Sequence, residues 1–449
     1  TILSIIYFTS LVYCQHMEVK ANGQLTEASF PELESSIEVR MESNDLLTSA
    51  LFPNLNSAST VYFASNTAMT SLDFNLLSNA DSVTLNRNEG LETADFSSLV
   101  GPLVSLQILD NQALVEADFP LLLSIELKLE VRSNKEMTKL SFNELTSVGM
   151  TGTDADLTSC DVMLVSNTRL TTVLLPSLEI TNCVEVSNSQ SLTALDLPSF
   201  SVGGMVITNN SDLISVTLSA LLGTGNEKDI KVEGNNALRI VEFPMIVSLI
   251  GNVFISKNPE LGTLNARSLN SVSGDLMITT NRALTSADFG NLAQVGGFME
   301  VSATHRWVNI EFPLLGTIGE DLTFKNNGAM EALECPSLLW VSGTLDIRNN
   351  YVVTSVDFSN LKQVVHGLSL VENNALITTK MESLVRVGGD FEMSYNVAMK
   401  HAHFESLRIA DGLMLVDRNS ELTSIDMEAL VGVAKSLQIL EHNKLVSIE

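Results

Sequence analysis

Apolar and polar residues recur along this chain with one long period, in place of the short periods of an isolated helix or strand. With Asn281 as a mark, the stretch from Val272 to Leu292 reads VSGDLMITTNRALTSADFGNL. The phrase returns every 22 or 23 residues nearly everywhere. Downstream marks are Thr304, Asn327, Asn350, Asn373, Asn396, Asn419 and His442. Upstream they are Asn258, Asn235, Asn210, Ser189, Asn167, Asn134, Asn111, Asn88, Asn66, Asn44 and Asn22. Of these 19 registers 16 are Asn, and one spacing, Asn134 to Asn167, is 33 residues. The consensus is roughly L-x-x-V-G-G-D-L-x-I-x-x-N-x-A-L-T-S-x-D-F-P-x-L.

Each column predicts a place in a coil. The pairs before the mark, such as Leu276/Ile278 and Leu345/Ile347, alternate at period two and predict a short strand. Gly274, Gly297, Gly343 and Gly389 precede it, where a tight corner favours a residue without a Cβ. The Asn amide has donors and acceptors for the turn backbone and for the Asn of the neighbouring coil. Leu284 and Leu422, three residues on, point back inside. Most of the chain's 18 Phe fall in one further column, from Phe30, Phe52 and Phe74 to Phe358 and Phe404, which predicts an internal aromatic stack. One coil of this length cannot bury both its strand and its Phe corner. Stacking at the strand spacing of ~4.8 Å buries both, so the expectation is one β-solenoid of about 19 coils, a rod roughly 90 Å long. A division into three ordinary domains is excluded.

The pattern L-x-I-x-x-N-x-x-L-x-x-I…L…I-x-G-x-L-x-I resembles the receptor L-domain repeat, with SLNSVSGDLMITTNRALTSADF as a representative stretch. The resemblance runs from about Met17 to the end of the chain. It implies a right-handed, leucine-rich-repeat-like β-helix, as in insulin- and EGF-receptor ectodomains and fungal GPI-anchored cell-wall proteins. The LTSxDFPxL phrase is also similar to BspA-like leucine-rich repeats of bacterial and protist surface proteins, with G-G-D-L-x-I in place of their A-F-x-x-C. Both families imply extracellular binding or adhesion at a cell surface, without catalysis. This chain departs from receptor L-domains in its number of coils and in having no flanking cysteine-rich module.

Charge narrows the partners. The 449 residues include 53 acidic and 25 basic ones, a net charge of −28. That balance argues against nucleic acid, whose phosphates need Lys and Arg, and against anionic lipid. Four Cys exclude a disulfide scaffold or a multi-cysteine zinc module. The uncharged segment Thr1–Cys14 is too short to span a bilayer and fits the apolar part of a secretory signal, leaving 15–449 as a single solenoid. No later apolar run reaches the length of a membrane span, and the chain stops within a coil, so an anchor beyond residue 449 is compatible with it.

Candidate chemistry concentrates just before the Phe column. Asp73, Asp95 and Asp118 stand there in three successive coils, and Asp288, Glu311, Glu334 and Asp357 in four; Asp196, Glu242 and Asp426 share the position. Stacked carboxylates repel by roughly 1 kcal/mol per neighbouring pair in water. A Ca²⁺ row on Asp288, Glu311, Glu334 and Asp357 is one explanation, the one cofactor this sequence suggests. A solvated face that keeps an edge from self-pairing is the other. His401 and His403 share a strand face as a conceivable metal pair. Cys160 and Cys183 lie 23 residues apart in neighbouring coils, with register offsets that differ by one residue, which is compatible with a disulfide without requiring one, while Cys335 takes a Phe position as a buried thiol. Extra residues around 149–159 predict a surface loop. No catalytic constellation interrupts the repeat. The expected protein is a non-enzymatic recognition or adhesion module for a protein or glycan partner; a structural wall or matrix component is the alternative, and an enzyme on a parallel β-helix the remote one.

Overall fold

The computed structural model describes residues 4–149, 160–225 and 228–449. It is a β-solenoid of about 19 turns built of parallel strands, and no helix occurs among the described residues. Two compact units are distinguished, Thr1–Leu221 with Gly234–Asn236, and Leu222–Glu233 with Ala237–Glu449.

The units differ in cross-section, and the sequence shows why. In the first, the strand before each Asn runs long, as in Ser35–Glu42, Ser57–Ala64 and Asn79–Asn86, and pairs in parallel with its neighbours. A three-residue strand such as Ser71–Asp73 closes the coil. In the second unit the same stretch is broken in two, as Ser271–Val272 and Leu276–Thr279, separated by Ser273-Gly274-Asp275. Glycine allows that corner by close approach: a Cβ on Gly319 would collide with the carbonyl oxygen of Gly296 in the coil beneath. The V-G-G-D part of the consensus thus belongs to the second unit, and the coils of the first have two faces where those of the second have three.

Inside both units the Asn marks form a ladder. Asn44, Asn66, Asn88, Asn327, Asn350 and Asn373 are fully buried. The Asn350 side-chain amide donates to the carbonyl of Phe324 at 2.9 Å and to Oδ1 of Asn373 at 3.2 Å. Its backbone N–H donates to that same Oδ1, and its own Oδ1 accepts from the N–H of Asn327 at 3.0 Å. Buried amides this fully bonded stabilise; left unbonded they would be costly. The residue before each mark is left-handed, with φ between 53° and 59° at every non-glycine example from Ala21 to Glu441. That turn aims the Asn amide along the stacking direction.

Phe rings fill the interior. In the first unit Phe8, Phe30, Phe52, Phe74, Phe96, Phe119 and Phe142 stack one on the next, with centroids 5.1 to 5.7 Å apart. Phe8 lies within the signal-like segment, whose strand Ile5–Tyr7 pairs with Glu27–Ser29. In the second unit the column is mixed, with Ala266, Cys335, Met381 and Met427 between Phe residues, all buried.

Candidate functional site

The acidic column ends the three-residue strands Ser286–Asp288, Asn309–Glu311, Ala332–Glu334 and Ser355–Asp357. Glu311 opposes Glu334, and Glu334 opposes Asp357, in parallel register. Asp288 opposes Asn265, and the ladder does not continue from Asp288 to Glu311. No three of these carboxylates gather within 4.8 Å of one another among the described residues.

The Asp members have a task of their own. Oδ1 of Asp73, Asp95, Asp288 and Asp357 accepts the backbone N–H two residues on, at 2.8 to 3.1 Å. This Asx turn satisfies a donor where the chain leaves the strand. Each Glu of the column, Glu242, Glu311 and Glu334, stands two residues before a proline (Pro244, Pro313, Pro336) that has no N–H to satisfy. A side chain too long for the turn is tolerated there.

Charge in the column is also partly balanced. Asp357 pairs with Lys380 of the next coil at 2.7 Å. Partial burial pushes the Asp357 carboxyl upward, but the hydrogen bonds from Lys380 and Ser359 outweigh it and hold the group below its usual range. A carboxyl lowered on folding stabilises above its unfolded pKa, ~3.9, and loses that contribution as pH falls through the folded value. Lys380→Met is therefore expected to lower the urea midpoint at neutral pH, with the difference from the parent shrinking as the pH falls through the lowered value of the carboxyl. Parallel denaturation curves at neutral and acidic pH check this.

One coil departs from the repeat in several columns at once. Thr304-His305-Arg306-Trp307-Val308-Asn309 stands where the consensus reads N-x-A-L-T-S. Thr304 still donates its hydroxyl to Oδ1 of Asn327 at 2.8 Å. Trp307, 3% exposed, fills the column that Leu261 and Leu284 fill in the coils below. Its ring meets Phe312 edge-on at 6.4 Å, and Phe312 tilts by 36° against Phe289, away from the stacked geometry. Strands Ser286–Asp288 and Asn309–Glu311 are unpaired with each other, and a cleft of about 530 Å³ opens between them, lined by Glu242, Asn265, Ser286, Asp288, Trp307, Asn309 and Glu311. Similar clefts occur elsewhere, such as one of about 610 Å³ at Glu92, Asp95, Glu116 and Asp118, but ordinary repeat residues line that one.

A second cleft adjoins the same coil. Its volume is about 400 Å³, and Pro259, Glu260, Arg282, Ala283, His305 and Arg306 line it. Arg282, His305 and Arg306 are exposed. None of the three is in an ion pair among the described residues. Three cationic or basic side chains free to meet a ligand stand out on a chain of net charge −28. Sequence periodicity takes Thr304 as one more mark and passes over this site. The available signal was the simultaneous change of the Ala column to Arg306 and the Leu column to Trp307.

The cysteines fall where their columns put them. Cys160 and Cys183 are joined by a disulfide, with Sγ atoms 2.03 Å and Cα atoms 4.5 Å apart, in a buried cluster with Met163. Cys335 is a buried free thiol, its pKa raised by burial and then by Asp357 and Glu334. Of the expected loop near 149–159, residues 150–159 lie outside the described residues.

The fold defines a solenoid repeat protein. No protein-family model matches the chain, and no curated protein matches it. Among solved structures it is similar to the crystal structure of a TLR13–ssRNA13 complex. The identity is 12%, over 94% of this chain and 78% of that one, with a TM-score of 0.20. At that score the likeness carries no argument about fold or ligand.

Proposed function

We propose that this chain is an extracellular or cell-surface recognition and adhesion protein, related to receptor L-domains, that binds a protein or glycan partner and has no catalytic role. The observation that carries the reading is the coil of Thr304, where several columns abandon the repeat together and two clefts open side by side. Solenoids present extended surfaces for binding, and residues that serve stacking hold to the repeat. Arg282, His305 and Arg306 then receive an acidic group of the partner, while Asn309 and Ser286 offer hydrogen bonds in the adjoining cleft.

The test is a glycan and ectodomain binding screen with the full chain, followed by titration of each hit against the Arg282→Ala/Arg306→Ala double variant. Both arginines are exposed, so the variant is expected to melt with the parent. A hit that weakens at least tenfold in the variant, about 1.4 kcal/mol, and weakens with added salt supports the site. Hits that the variant binds unchanged, or no hit at all, overturn it. Amino-terminal sequencing of the secreted protein tests Thr1–Cys14 as a signal remnant.

A further inference from the structure

Another group of side chains lies several coils away from Thr304 and has no part in the clefts above. Strand His401–His403 pairs in parallel with Ser424–Asp426, so that His401 opposes Ser424 and His403 opposes Asp426. Alternation along the strand buries Ala402 and turns both histidines outward. Glu405 follows two residues after His403, at the corner. The ligating atoms of His403, Glu405 and Asp426 all lie within 4.8 Å of one another, the one such trio among the described residues.

The His403–Asp426 contact is unusual. Nδ1 of His403 and Oδ2 of Asp426 are 2.6 Å apart. Yet that nitrogen is inaccessible to solvent and has no partner with hydrogen-bond geometry. An imidazole nitrogen and a carboxylate oxygen thus face each other across two coils, with the Glu405 carboxylate beside them. Lys380, at the same strand position one coil earlier, is turned to Asp357 at 2.7 Å, and neither Glu405 nor Asp426 has a Lys or Arg ion-pair partner among the described residues. His401 has its ring centroid 5.9 Å from that of His403, and its Nδ1 is held by Ser424 Oγ at 2.9 Å.

We propose that His403, Glu405 and Asp426 form a binding site for a divalent first-row transition ion of the zinc type. An imidazole nitrogen beside two carboxylates selects borderline ions such as Zn²⁺ or Co²⁺ over Ca²⁺, which prefers an all-oxygen shell. Two carboxylates neutralise the charge of the ion, and one imidazole leaves a coordination position for water. Zinc bonds of about 2.0 to 2.2 Å place ligand atoms roughly 3.0 to 3.6 Å apart. To reach that spacing the His403–Asp426 contact opens from 2.6 Å and the exposed Glu405 turns toward it. Since His403 and Glu405 belong to one coil and Asp426 to the next, the ion joins two turns of the solenoid and stabilises their stacking.

Untagged full-length chain is titrated with Zn²⁺ by calorimetry and with Co²⁺ by visible absorption, with Ca²⁺ as the hard-ion arm. One equivalent of Zn²⁺, a cobalt ligand-field band and a raised melting temperature are expected. His403→Gln and Glu405→Gln are each expected to weaken binding at least tenfold, the loss that even outer-shell partners of a metal site cause. Glu405→Gln changes an exposed corner residue and keeps the test open if His403→Gln folds poorly. Asp288→Asn, on the acidic column, is expected to leave zinc binding unchanged. Zinc binding that both variants retain, absence of zinc binding, or equal affinity for Ca²⁺ would each overturn the proposal.

Discussion

Asn350→Ala is expected to destabilise the second unit by about 3–5 kcal/mol, as at other fully bonded rungs of the ladder. The substitution deletes the donor to Phe324 and the acceptor for the Asn327 N–H, both in a fully buried setting. Each orphaned buried group costs about 1–3 kcal/mol, and the lost amide leaves a small cavity besides. Neighbouring coils share the damage, because Asn350 bonds to both Asn327 and Asn373. Stability in a solenoid is a sum over coils and their interfaces, so the loss appears as an earlier or broadened urea transition. Asn350→Asp keeps an acceptor but loses the amide donor and buries a charge, and is expected to be no milder. A midpoint unchanged in Asn350→Ala would mean that the ladder is incidental to stacking.

Phe119→Ala is the second large effect, about 3–5 kcal/mol in the first unit, as for other buried Phe truncations. Phe119 is 1% exposed and lies between Phe96 at 5.6 Å and Phe142 at 5.1 Å, with rings inclined by 17° and 6°. Two stacked pairs add about 0.5–1.5 kcal/mol each beyond simple burial. The contrast with leucine separates the two contributions. Phe119→Leu keeps most of the apolar volume but loses both stacked pairs. Phe358→Leu is expected to be cheaper, because Cys335 and Met381 stand in the coils on either side of Phe358 and no stack is broken. Equal losses at the two positions would show that ring stacking adds nothing to volume.

The period, the inward columns, the Asn marks and the Phe column were all legible in the sequence, because each repeats a side-chain type. What repeats only as backbone was not. The left-handed residue before each mark is Ser, Asn, Ala, Arg, Asp, Lys, Thr, Tyr, Glu or Gly at different coils, since the turn constrains φ and leaves the side chain free. The two cross-sections were blurred for a related reason. A consensus drawn mostly from glycine-rich coils was extended to coils such as Ser35–Glu42, which run straight through the corner. At the sites, the acidic column was visible as charge, but its division was not. Every Glu of the column, and Asp118 and Asp196 with them, stands two residues before a proline, while Asp73, Asp95, Asp288 and Asp357 accept the N–H found at that place, a division that shows only when two columns are read together. The trio at His403 escaped because Glu405 reaches it from around a corner, outside the strand alternation that relates His401 to His403.

The Asn134–Asn167 step has a meaning for how such a chain can change length. The two marks are 33 residues apart, against 21 to 25 at the other steps quoted above, yet the Asn134 N–H meets Asn167 Oδ1 at 3.0 Å, as at the ordinary steps. The ladder therefore counts turns and is indifferent to the contour length between them. Residues can therefore be added between one rung and the next while the interior keeps its phase, so such a chain can grow in length within a coil without losing count of its coils.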